Sequence, residues 1–315
     1  MWIHSVRPVP TFSSIFATGG EIFGVPPTVF WPYCLGAIVL VIGLYCILRY
    51  DLPQSRGLDR VLLPTRIFYA IPIAVFAGEH FTVPREIGSM IPHWIPGHLF
   101  WAYFVGIALF ATGLSFATRQ LSGLSGTLLG TMFCLFVVLL DLPAAVTHPH
   151  NRITWILALR ELSFAGGAFA FAGFEKRSAS PGSGSGLIQA ARYIISIPAI
   201  FYGVEHFLYP ACVPGVPLAR ITPAWIPGRL MAAYLCGASL IICGVLILLN
   251  KHARLAAAVL GAVISLIVLW IYLPILIAAL GDIGNGVNYF ADTLFYAGTI
   301  LLLALALPGE TPANA

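Results

Sequence analysis

The chain has 315 residues, of which 59% are apolar and 9% charged, and its mean hydropathy is +0.92. Those proportions exclude an ordinary water-soluble domain and fit an all-α polytopic membrane protein. The net charge of +4 comes without any basic patch interleaved with aromatics, which excludes nucleic acid as a partner and leaves the lipid bilayer as the expected one.

In chain order, nine stretches meet the requirement of roughly 20 apolar residues for a spanning helix: 28–48, 61–81, 95–117, 124–145, 154–174, 187–208, 226–249, 255–280 and 287–307. The runs are continuous and do not alternate with period two, so helices are predicted and a barrel is not. The first is too long, and lacks the small-residue cleavage site, for a removed signal peptide, so it is expected to remain as a leading helix. Arg49, Arg56, Arg60, Arg66, Arg119, Lys176, Arg177, Arg192, Lys251 and Arg254 fall on one side of the predicted membrane. Arg7, Arg85, Arg152, Arg220 and Arg229 fall on the other, with Arg160 inside a helix. This bias predicts a multi-pass protein of the bacterial cytoplasmic membrane with its N-terminus outside and its C-terminus inside.

A pattern occurs twice. Arg66, Pro72, Glu79-His80-Phe81, Pro84 and Pro92-His93-Trp94-Ile95-Pro96-Gly97 return as Arg192, Pro198, Glu205-His206-Phe207, Pro210 and Pro223-Ala224-Trp225-Ile226-Pro227-Gly228. The shift is 126 positions up to the first loop and 131 beyond it, where it matches Tyr103 to Tyr234, Gly106 to Gly237, Gly113 to Gly244, Gly130 to Gly261, Pro143 to Pro274, Glu161 to Asp292, Phe164 to Phe295 and Gly167 to Gly298. The second copy therefore has five extra residues between Pro210 and Pro223. Each copy holds four helices, an even number, so the two are expected as parallel four-helix bundle repeats related by an axis along the membrane normal. The predicted organisation is an N-terminal segment with the leading helix (1–57), a first repeat (58–174), a flexible polar linker (175–186) and a second repeat with a short tail (187–315).

A four-helix unit with Glu-His-Phe near the outer end of its first helix, Pro-x-Trp-Ile-Pro-Gly opening its second, small residues around Tyr103/Tyr234 and Gly113/Gly244, and an acid in its fourth resembles the DoxX-like membrane family. The resemblance covers both repeats and leaves the leading helix outside it. It implies a small bacterial membrane protein associated with quinol oxidases or quinone-linked sulfur oxidation, and hence a soluble or membrane oxidoreductase partner and a quinone.

The residues themselves offer matching chemistry. Ionisable groups in lipid are expensive and usually have a task. Glu79, His80, Glu205 and His206 are expected near the outer interface, where a quinone headgroup needs hydrogen-bond partners and a proton source or sink; the alternative is that they lock the outer loops. Glu161 and Asp292 read as structural hydrogen-bond partners of a facing helix or as a proton relay, and a Glu161–Arg160 pair is not expected because neighbours on a helix diverge. Asp141 is matched by Tyr272. Trp94 and Trp225 suit interfacial anchoring, with proline fitting the first turn beside them, and they also suit the walls of a cofactor pocket. Neither the lone His148/His150 pair nor the cysteines, with Cys212 alone on an outer loop, form a metal or thiol-redox motif. The sequence thus favours proton handling for a quinone or similar lipophilic molecule, against a noncatalytic scaffold or a parallel-repeat carrier.

Overall fold

The computed structural model describes residues 20–309; Arg7 and the tail beyond Gly309 lie outside the described residues. Among the described residues nine helices are long and apolar enough to cross a bilayer: α1 (Pro27–Gln54), α2 (Gly57–Thr82), α3 (His98–Thr118), α4 (Ser122–Thr147), α5 (Arg152–Ala179), α6 (Ser185–Leu208), α7 (Arg229–Leu248), α8 (Ala253–Ala278) and α9 (Ile283–Ala306). The protein is a multi-pass, all-α membrane protein.

The repeats close through each other. Within each, successive helices pack side by side, but the ring is completed across repeats: α2 lies along α9, α6 lies along α5, and α5 meets α9 at the centre. A pseudo-twofold axis passes between these last two helices. On it, Phe164 stacks on its own repeat equivalent Phe295, with centroids 4.0 Å apart and an interplanar angle of 25°. The close packing of α2, α5 and α9 around this centre depends on small residues. A Cβ on Gly298 would stand 2.6 Å from the Tyr69 backbone nitrogen, and one on its equivalent Gly167 would stand 2.6 Å from the Tyr69 ring and 3.0 Å from Thr299 Cα.

Three helices widen into a π-turn at the same local sequence. Ile47–Asp51, Val137–Asp141 and Val268–Tyr272 each end two residues before a proline, in Asp51-Leu52-Pro53, Asp141-Leu142-Pro143 and Tyr272-Leu273-Pro274. Proline supplies no N–H and its ring collides with the carbonyl four residues back, and an extra residue in the preceding turn relieves both problems. In α1 this places Asp51 against Arg66 at 2.5 Å and Arg119 at 3.1 Å, latching the leading helix to the first repeat.

The expected flexible linker is largely helix. α5 continues through Glu175, Lys176 and Arg177, whose helix propensity is high and whose two cations suit a helix C-terminus, and only 180–184 form a turn. Glu175 pairs with Arg119 at 2.9 Å, Arg177 donates to Ala306 O at 2.5 Å, and the Ser183 hydroxyl donates to Lys176 O at 2.6 Å. The segment is a tight, tethered corner because its polar groups find partners on both flanking helices.

The crossing geometry makes a measurable demand. Gly298→Ala should lower unfolding stability in detergent by about 1–3 kcal/mol, since the obstructing atoms are backbone. Gly186→Ala, with nothing within 4 Å of its Cβ, should be neutral or slightly stabilising. Equal stability of the two variants would contradict the packing described.

Candidate functional site

The richest polar cluster lies on the pseudo-twofold axis. Glu161 and Asp292 each stand nine residues into their helices, which at 1.5 Å per residue is about 14 Å, close to the middle of a hydrocarbon core of about 30 Å. Arg160 holds both. Its Nη1 donates to Asp292 at 2.7 Å and its Nη2 to Glu161 at 2.9 Å. The expectation that Arg160 and Glu161 diverge is corrected here: the long arginine stem folds back, and the forked guanidinium serves its neighbour and the facing helix together. Asp292 does have its partner on a facing helix.

Two more carboxyls surround this pair. Glu79 comes from the end of α2, is 9% exposed, and lies within electrostatic range of Asp292, with Asn288 beside it. Asp141 projects from the π-turn of α4 into the range of Arg160 and Glu161. Glu79 Oε1, Asp141 Oδ2 and Asn288 Oδ1 are buried atoms without a hydrogen-bond partner. Glu161, Asp292 and Asp141 thus share one guanidinium at membrane depth, with Glu79 next to Asp292. Four full negative charges against one positive would be very costly there, so the cluster must balance itself by taking up protons or a cation. Tyr202 is within range of Arg160, Glu161 and Asp292, and packs on Tyr296, whose hydroxyl lacks a partner. Among the described residues no three His, Cys, Asp or Glu side chains group closely enough to hold a metal ion.

The two Glu-His pairs differ in their surroundings. Glu205 is paired with Arg152 at 3.0 Å, and both ring nitrogens of His206 are engaged, Nδ1 with Tyr202 O at 2.5 Å and Nε2 with the Gly215 N–H at 2.9 Å. The second pair therefore locks a loop. The first does not: Arg152 corresponds to Ile283, so Glu79 meets no equivalent cation. His80 bonds to Phe76 O at 2.8 Å. What the pairs share is packing, since a Cβ on Gly106 or Gly237 would fall 2.7 Å or 2.8 Å from the Cβ of His80 or His206.

Trp94 and Trp225 are 70% and 59% exposed and face away from the bundle, the disposition of interfacial anchors. Cys212, expected on an open loop, is buried with its Sγ 3.2 Å from Arg152 Nη2. One helical turn from Glu79 lies an apolar crevice of about 230 Å³, lined by Tyr33 and Gly36 of α1, Pro72 and Val75 of α2, and Val287 and Ala291 of α9. Glu79 stands one helical turn beyond Val75, and Asn288 follows Val287. Sequence reasoning missed Arg160 as the organising cation, Asn288 as the neighbour of Glu79, and Arg152. The signal that could have found Arg160 was its position: the only basic residue deep in a predicted span, one place from a repeat-matched acid.

No known family model matches this chain, and no curated protein or solved structure is significantly similar to it.

The arrangement predicts strong coupling. Arg160→Met should destabilise the protein by about 3–5 kcal/mol, because it leaves two buried acids without their cation. Adding Glu161→Gln and Asp292→Asn should recover most of that loss. Unfolding in detergent measures both, and a single variant as stable as the parent would show that Arg160 is not the organising charge.

Proposed function

We propose that this chain is a DoxX-like, redox-associated protein of the bacterial cytoplasmic membrane that handles protons for a quinone or another small lipophilic molecule near the outer leaflet. One observation carries the proposal: Glu79 has an unpartnered buried carboxyl oxygen near Asp292, one helical turn beyond Val75, which lines an apolar crevice between α1, α2 and α9. The crevice suits a ring or chain that enters from lipid. Glu79 suits the exchange of a proton with its head, and Asp292, Arg160, Glu161 and Asp141 form a reservoir through which that proton is shared. Glu205 and His206 act structurally in this scheme. In this scheme the electrons come from a quinone or a partner oxidoreductase.

A second reading draws on the depth of Glu161 and Asp292. A charged centre at mid-membrane between parallel repeats also suits a carrier with alternating access. Counterflow of a labelled solute in proteoliposomes would favour it.

Lipid extraction from the purified full chain should yield an isoprenoid quinone at about one per chain. In membranes containing the partner oxidoreductase, Glu79→Gln should lower quinone-linked turnover by roughly 100-fold or more, the usual scale for a lost acid-base group. Glu205→Gln should weaken stability and spare the chemistry. An extract without quinone, together with unchanged turnover in Glu79→Gln, would overturn the proposal.

A further inference from the structure

The five extra residues of the second repeat form an internal plug. Cys212 and Ile221 pair as an antiparallel bridge, and the chain between them turns inward so that Val213, Pro214, Gly215 and Val216 are buried. One peptide unit at the tip is gripped at both ends. The Tyr272 hydroxyl donates to Pro214 O at 2.6 Å, and the Gly215 N–H donates to His206 Nε2 at 2.9 Å. Because Nδ1 of His206 faces the Tyr202 carbonyl, the ring proton sits there and Nε2 is the acceptor. Arg152 ties down the far limb through Pro217 O at 2.9 Å.

The internal shifts map His206 onto His80 and Tyr272 onto Asp141. In the first repeat the shorter connection coils into the helix Pro84–Ser89, which packs against the start of α3. His80 keeps the same Nδ1 bond to the carbonyl four residues back, which again makes Nε2 the acceptor. Asp141 occupies a π-turn equivalent to that of Tyr272, and its Oδ2 has no partner. The surroundings are also more open. His206 and Tyr272 are each 1% exposed, whereas His80 and Asp141 are only half-buried.

We propose that the first repeat carries, unsealed, the binding site that the second has filled with its own backbone. It takes an uncharged small molecule with two O–H or N–H donors, one for His80 Nε2 and one for the Asp141 carboxylate. The exchange of tyrosine for aspartate sets the ligand's chemistry: a phenol donates to a carbonyl, whereas a carboxylate accepts from a hydroxyl or N–H. The proposal shares Asp141 with the proton reservoir but does not use Glu79, so Glu79→Gln separates the two sites.

Equilibrium binding to the full chain in detergent tests it with two probes, a dihydroxybenzene and the capped tetrapeptide acetyl-Val-Pro-Gly-Val-amide, which copies 213–216. The parent protein should prefer the dihydroxybenzene, and His80→Leu and Asp141→Leu should each weaken that binding at least tenfold. Asp141→Tyr recreates the sealed copy's pair and should reverse the preference toward the tetrapeptide by at least tenfold, a gain that a misfolded variant cannot give. Tyr272→Phe, which touches only the sealed copy, and Glu79→Gln, which tests the proton site, should leave dihydroxybenzene binding in place. Binding that ignores both His80 and Asp141, or an Asp141→Tyr variant with unaltered preference, would overturn the proposal.

Discussion

Arg160 bridges two acids that the internal repeat places on opposite sides of its own axis, and the rest of the interior is arranged around that contact. Glu161 and Asp292 are equivalent residues on the two central helices, and a single guanidinium from one of those helices reaches both. At this depth neither acid has water to turn to, so the fork of donors decides how close α5 and α9 can lie and in what rotation. The stacked Phe164 and Phe295 and the close approach of Gly167 to Thr299 continue the same contact along the axis, while Gly298 packs on the backbone of α2.

From that centre outward, the two copies take opposite solutions to the same problem. In one, Glu205 has Arg152, His206 has a backbone N–H, and the loop between α6 and α7 is drawn into the bundle. In the other, Glu79 has no cation, Asp141 replaces a tyrosine, and the connection stays on the surface. Around the Glu-His pair itself the second copy has its polar groups matched, whereas the first leaves Glu79 Oε1 and Asp141 Oδ2 without partners.

The nine spans were legible in the sequence because hydropathy acts locally, and the fixed shift of the repeat marked Glu161 and Asp292 as equivalent residues. The exchange of partners between repeats was not, since a shift of 131 positions says which residues are equivalent and is silent on which helix meets which. Arg160 with Glu161 misled for a definite reason: the angle between neighbouring side chains was weighed and the reach of arginine was not. The linker misled because serine and glycine between 178 and 186 suggested slack, while the charged residues just before them extend the helix. The three Leu-Pro steps that announce the π-turns were on the page and carried Asp51, Asp141 and Tyr272 with them.

The lone arginine at the axis also bears on ancestry. In a homodimer of separate four-helix chains every side chain near the symmetry axis is present twice, so two guanidinium groups would confront each other where one now sits between two carboxylates. Two copies that differ in sequence can instead carry the cation in one half and alanine, Ala291, at the matching place in the other. Divergence between the two halves therefore permits a charge arrangement that a pair of identical chains could not hold, with each half free to change on its own.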